Sequence, residues 1–182
     1  MRRCFSCLIK EQLSLYWFYL LLLFSLAGLS KLIPVTPEIT PPAGTEGVLY
    51  LEPANLTIAP SKDFTVELKT TSITNLKGYS VTLSYDPNLL SLKEVVEGPF
   101  LSSKCKTFFY KKVDDTKGTI LIDCAILGPE VSVSGEGTLA TLSFTSLKAG
   151  STSLTFKLTK TRDTYNKEII TTKRNAMVKS KY

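Results

Sequence analysis

The sequence contains no histidine. That excludes Ser-His-Asp and Cys-His nucleophiles, a histidine general base and any histidine-ligated zinc centre. Tryptophan occurs once, as Trp17, and the 10 Gly and 9 Pro among 182 residues are too few for a fibrous or low-complexity chain. Acidic residues are the scarcer charge, 16 against 22 Lys and Arg, for a net charge of +6. What remains for chemistry is Ser, Thr, Cys, Lys, Tyr and carboxylates. Asp114 and Asp115 fall in a turn, where Asp is a turn former, and Glu94 and Glu97 stand three apart on a strand, so they point to opposite faces. Neither pair has the companion that would hold one carboxyl protonated and the other ionised. No glycine-rich phosphate loop opens a helix. The sequence therefore offers no catalytic residue, no metal ligand set and no cofactor site, and an enzyme is not expected.

What is present is unevenly distributed. Charged residues make up 21% and apolar ones 43%, ordinary globular usage for one domain plus a short appendage. Residues 1–30 stand apart: Arg2, Arg3 and Lys10 precede the uncharged run Leu13–Ser30. A short basic start before a long apolar stretch marks an export helix. Two fates stay open. Ser25-Leu26-Ala27 and Gly28-Leu29-Ser30 offer small residues for cleavage as a signal peptide. Uncleaved, residues 13–30 form an N-terminal membrane anchor with Tyr16, Trp17, Phe18 and Tyr19 at the interface. Either fate places the rest outside the cell, secreted or anchored to the outer face of the membrane. Residues 31–48, with Pro34, Pro37, Pro41 and Pro42, cannot sustain a helix and read as an extended linker.

Residues 49–182 read as strands. Phe64, Val66 and Leu68 alternate with polar residues, as do Tyr79, Val81, Leu83 and Tyr85, then Ala140, Leu142 and Phe144, then Leu154, Phe156 and Leu158. Period two means one face buried and one wet. Thr119–Ile126 is more continuously apolar, as a central strand is. The core expected from this spacing is Phe64, Val66, Leu68, Val81, Leu83, Ile120, Ile122, Leu142, Phe144, Leu154 and Phe156. About nine strands separated by Gly, Pro, Asn and Asp turns indicate a β-sandwich, with at most one helical turn, at Pro87–Leu92. Gly135 and Gly137 bracket an expected turn. Of four cysteines, Cys4 and Cys7 lie in the N-terminal flank; Cys105 and Cys124 sit on either side of the 114–118 turn, and a cross-strand disulfide between them is expected.

These segments carry a resemblance. Gly78-Tyr-Ser-Val-Thr-Leu-Ser-Tyr-Asp-Pro-Asn-Leu-Leu90 resembles the third strand and following turn of cohesin domains. Ser91–Gly98, Lys117–Ile122, Gly135-Glu-Gly-Thr-Leu-Ala-Thr-Leu-Ser-Phe144, Ala149–Phe156 and Arg162-Asp-Thr-Tyr-Asn-Lys-Glu-Ile169 resemble the later cohesin segments in family order, from about Ala54 to Lys181. The resemblance implies an all-β, nine-stranded jelly-roll sandwich that binds dockerins, small calcium-loaded helical modules often attached to polysaccharide-degrading enzymes, with the calcium belonging to the dockerin. It implies a docking face on the sheet of the third, fifth, sixth and eighth strands, here offering Ser80, Thr82 and Ser84 with basic Lys111 and Lys112. The small hydroxyls depart from the acidic or amide residue usual near Ser80.

Two other classes share the architecture. A carbohydrate-binding module would stack sugar on exposed aromatics; the single Trp lies in the export segment, Tyr79 and Tyr85 face the core, and Tyr110 and Tyr165 remain for polysaccharide. A structural adhesin-like surface domain is the other. The basic C-terminal stretch from Lys157 is consistent with solvated, edge-protecting lysines, and no nucleic-acid motif is present. Asn55-Leu56-Thr57 is a glycosylation sequon.

Overall fold

The computed structural model describes residues 47–182. The expected export segment of residues 1–30, Cys4, Cys7 and residues 31–46 of the expected linker lie outside the described residues; the last two residues of that linker, 47 and 48, belong instead to the first strand. The chain forms β1 (Gly47–Glu52), β2 (Asn55–Ile58), β3 (Asp63–Leu76), β4 (Gly78–Ser84), β5 (Leu90–Glu97), helix α1 (Pro99–Ser102), β6 (Thr107–Asp114), β7 (Thr119–Ile126), β8 (Val133–Ser146), β9 (Gly150–Arg162), β10 (Thr171–Arg174) and β11 (Ala176–Ser180). They assemble into two sheets, a five-stranded one in the order β10-β1-β3-β8-β5 and a six-stranded one in the order β2-β11-β9-β4-β7-β6.

There are thus eleven strands rather than nine, and the difference is local. The first and last strands of the sandwich are each broken as they pass from one sheet to the other. Pro53, with no N–H to give a ladder, separates β1 from β2, and Asn175 separates β10 from β11. The broken strands run side by side in parallel: β1 pairs with β10 from Gly47↔Thr171, and β2 with β11 from Asn55↔Met177. Every other named pairing is antiparallel.

Between the sheets lie the period-two residues. Val66, Leu68, Val81, Leu83, Ile120, Ile122, Leu142, Phe144 and Leu154 are buried, and Phe64 and Phe156 pack half-buried against them. Phe144 is the hub: Phe64 stacks on it at 5.6 Å between centroids and Tyr85 meets it edge-on at 5.4 Å. Tyr79 crosses the sandwich, its hydroxyl donating 2.8 Å to the Leu139 carbonyl on β8.

Two expectations about turns are corrected, and one helix was not foreseen. The 87–92 segment is not helical. Its backbone closes a turn through Leu89 and Leu90 N–H groups on the Asp86 carbonyl, and β5 begins at Leu90. The one helix described is α1, started by Pro99 and buried through Phe100 and Leu101. Its signal is Gly137 on β8, where a side chain would come within 2.7 Å of the Phe100 ring. Gly135 does adopt positive φ, +117°, but as an irregularity inside β8 opposite Ile73 rather than a turn.

Candidate functional site

The outer face of β9-β4-β7-β6 is set by register. Reading across from β9 to β6, one row is Arg162, Gly78, Ala125 and Phe108, and the next is Lys160, Ser80, Asp123 and Tyr110. The third is Leu158, Thr82, Leu121 and Lys112, and the last is Thr155, Ser84, Thr119 and Asp114. Ser80, Thr82 and Ser84 therefore do share one face, along the middle of this sheet, and Lys112 joins them. Ser84 and Thr155 hydroxyls bond each other at 2.9 Å, which closes that end.

Lys111 does not belong to the face. It lies one residue out of phase, opposite Ile122, and its ammonium donates to the Val95 carbonyl on β5. The expected disulfide is not formed either: Cys105 and Cys124 are free thiols. The 114–118 hairpin exists as expected, but its register places Phe109, not Cys105, opposite Cys124. Cys105 precedes β6, its N–H held 2.9 Å from the Leu101 carbonyl in the turn that leaves α1. Cys124 points inward, with its Sγ 3.5 Å from Glu97 Oε1, and Thr107 Oγ1 donates to the same oxygen at 2.7 Å. Burial, and next the Glu97 charge, push the Cys124 thiol up to about 12. It carries no nucleophilic role near neutral pH.

Several exposed residues of the face escape the sequence pattern. Leu158 is 49% exposed although its alternation with Leu154 and Phe156 assigns it to the core. The β4–β9 pairing slips between Thr82 and Leu83, which face Leu158 and Phe156, so Lys157 is an extra residue and the phase inverts after it. Phe108, 60% exposed, and Tyr110, 45% exposed, stand on the edge strand β6. Asp123 is the acid inside the apolar run of β7; its Oδ1 is shielded from solvent and has no hydrogen-bond partner. The signal available in sequence was a lone carboxylate in an otherwise apolar strand.

One row of the face is hollow. Gly78 and Ala125 stand side by side between Arg162 and Phe108, so the two middle places have almost no side chain. A hollow of about 460 Å³ results, walled by Phe108, Lys160 and Arg162, with Asp123 on its floor. The loop after β9 borders it. There Asp163 Oδ1 accepts the N–H groups of Tyr165 and Lys167, at 2.9 and 2.8 Å, and presents Tyr165, 86% exposed.

The face is cationic at its rim. Lys112, Lys160 and Arg162 form no ion pair among the described residues. On the other sheet, by contrast, Lys69 pairs with Glu52 at 2.6 Å and Lys93 with Asp63 at 2.7 Å. Three of the four carboxylates considered for chemistry are occupied structurally: Asp114 accepts the Lys117 N–H at 3.0 Å, Asp115 the Tyr85 hydroxyl at 3.1 Å and Glu97 the Thr107 hydroxyl at 2.7 Å. Among the described residues no group of three or more Cys, Asp and Glu side chains is placed to hold a metal. Such a face can bind by shape, apolar contact and charge.

Comparison with known proteins agrees with this architecture. The family model for the cohesin domain matches residues 53–177. A non-cellulosomal cohesin from the archaeon Archaeoglobus fulgidus superposes with a TM-score of 0.65 at 17% identity, covering 76% of this chain and 93% of that one. A type II cohesin domain from the cellulosome of Acetivibrio cellulolyticus gives 0.66 at 18% identity, covering 73% and 95%. A type I cohesin–dockerin complex from Clostridium thermocellum gives 0.64 at 12% identity, covering 75% and 94%. No curated protein matches the chain.

Proposed function

This chain belongs to the cohesin family, and from that premise we propose that it is a non-catalytic receptor that docks a dockerin-bearing protein on the outer face of β9-β4-β7-β6. The observation that carries the reading is the face itself. Phe108, Tyr110 and Leu158 are exposed on one hydrogen-bonded sheet among Ser80, Thr82 and Leu121, beside Lys112, Lys160 and Arg162, which form no ion pair among the described residues. Apolar side chains exposed together on one rigid surface mark a binding site. A preformed sheet also loses little conformational entropy when a partner settles on it. Apolar contacts supply most of the affinity, and the polar rim sets specificity. The structural role of Asp114 and Asp115 and the inert setting of Cys124 support a binding rather than a chemical function.

The receptor works outside the cell, secreted or held at the membrane by residues 13–30. What supports this is the basic-flanked apolar segment and the proline-rich stretch that follows it. The test is capture by the immobilised full chain from the secreted proteins of the source organism, with and without a calcium chelator. A partner containing duplicated Asp/Asn-rich calcium loops, released by the chelator, is expected, while the melting temperature of the receptor stays unchanged. Retention on cellulose or xylan with release by soluble sugar, and no calcium-dependent partner, overturns the reading in favour of a carbohydrate-binding module.

A further inference from the structure

We propose that the open edge of β6 takes an extended acidic peptide as an antiparallel seventh strand of its sheet. The inference is independent of dockerin recognition, because it concerns the rim of the sheet and not its face.

β6 ends the six-stranded sheet, and no strand lies beyond it among the described residues. The Leu127 N–H donates to the Lys106 carbonyl at 2.8 Å, one step before the Thr107↔Ile126 pair. Bonded and non-bonded pairs alternate in an antiparallel ladder. Phe108, Tyr110, Lys112 and Asp114 therefore bond β7, and Thr107, Phe109, Lys111 and Val113 turn their N–H and C=O groups outward. These open groups run along a strand with no bulge, proline or glycine.

The other edges are blunted, as edges of stable sheets usually are. β2 and β10 have four residues each. β5 is interrupted by a register shift between Leu92 and Glu94, its Lys93 is paired with Asp63, and its Val95 carbonyl is capped by the Lys111 ammonium. β6 is the long regular edge left open.

Side chains define the occupant. On the outer face Lys106, Phe108, Tyr110 and Lys112 follow one another at every second residue. Lys106 and Lys112 are exposed and form no ion pair among the described residues. Phe108 and Tyr110 stand exposed between them. An incoming strand matches this row with carboxylates at its two ends and β-branched or aromatic side chains at the two places between, since those are the favourable cross-strand neighbours. Its inner phase shields half-buried Phe109. The main chain supplies affinity and the alternate side chains specificity. A second copy of the chain is the poorer match, because it brings a net charge of +6 and lysines of its own to the same edge.

The test uses the full chain in mild detergent and a fluorescein-labelled peptide, Glu-Thr-Val-Thr-Val-Thr-Glu, followed by fluorescence anisotropy. In the antiparallel register its Glu residues stand opposite Lys112 and Lys106, its Val residues opposite Tyr110 and Phe108, and its three Thr N–H groups point at β6. Saturable binding is expected. Methylating the three Thr amide nitrogens should abolish it, whereas methylating the two Val nitrogens, which point away, should leave it within about twofold. Replacing both Glu by Lys should weaken binding about tenfold, since each cross-strand charge pair is worth a fewfold, and on the double variant Lys106→Glu, Lys112→Glu the preference should reverse. Circular dichroism and melting of that variant check its fold. No binding at millimolar peptide, equal sensitivity to the two methylation patterns, or a charge preference that survives the reversal overturns the proposal. A dimer of the chain in sedimentation that the peptide does not dissociate overturns it in favour of a second copy. Capture of a dockerin succeeds or fails separately from all of these results.

Discussion

Replacing Tyr79 by Phe removes one atom from the centre of the sandwich, and the structure fixes what that costs. The hydroxyl is buried and donates 2.8 Å to the Leu139 carbonyl on the opposite sheet. That carbonyl has a second donor, the Gly98 N–H at 2.9 Å. The variant therefore does not orphan a buried acceptor, and the loss is the net value of one hydrogen bond, about 1 kcal/mol, not the larger penalty of an unsatisfied group. Burial, reinforced by the nearby Cys124 and Glu97, raises the Tyr79 ionisation well above its ordinary value of 10.0. The sign of the linkage follows. The folded state keeps the proton and the unfolded state releases it above about pH 10, so the tyrosine's contribution is complete below that pH and declines above it, while phenylalanine has none to lose. At about 1.4 kcal/mol per pH unit the advantage of about 1 kcal/mol is gone within one unit, and the two proteins become equally stable near pH 11. Urea unfolding of both proteins at several pH values measures this, with unchanged m-values as the check that only the native contact differs. A loss above about 3 kcal/mol at pH 7, or a gap that stays constant from pH 7 to 11, would refute the reasoning.

Other consequences are as direct. Gly118→Ala should destabilise by roughly 1–3 kcal/mol, measurable by thermal melting, because the residue sits at φ +60° and a Cβ would lie 2.2 Å from the Tyr85 carbonyl. Leu158→Ser should leave stability within about 0.5 kcal/mol while weakening dockerin binding, because the side chain lies on the open face and not in the core; a large fall in melting temperature would return Leu158 to the core. In the folded protein at pH 8, iodoacetamide should modify half-buried Cys105 about tenfold faster than Cys124, as peptide mapping would show, since Cys124 is buried and its thiol held up to about 12. Equal rates would mean that the β6–β7 hairpin opens readily.

Where the sequence and the structure agree, the reason is periodicity. Val81 and Leu83, Ile120 and Ile122, and Leu142 and Phe144 each repeat every second residue along an unbroken strand, so counting assigns their faces correctly. Counting fails at a bulge. One extra residue at Lys157 turned Leu158 outward and brought Lys160 and Arg162 onto the face with it. It also fails where a strand has one open side: on edge strand β6, inward-phased Lys111 still reaches a polar partner and outward-phased Phe108 needs no cover, so composition does not mark the phase. The hydroxyl row Ser80, Thr82 and Ser84 was legible because β4 is regular and central. Asp123 was not, because what distinguishes it is the neighbours that β4 and β6 supply, Ser80 and Tyr110, which only the register brings together. The two thiols show the same limit: symmetry about a turn gives a hairpin, but a shift of a few residues decides whether two side chains meet.

The parallel pairing of β1 with β10 and of β2 with β11 also bears on how fast the domain forms. Residue 47 meets residue 171 and residue 55 meets residue 177, so almost the whole domain is one loop that has to close before these ladders give anything back. Such contacts raise the contact order of an already all-β topology and place it among the slow folders. β11 is the strand that flanks β9, and β9 carries Leu158, Lys160 and Arg162. If these long-range ladders close last, the face proposed for docking keeps an unpaired strand beside β9 until the far end of the chain arrives, and competence to bind should then appear with the slowest refolding phase.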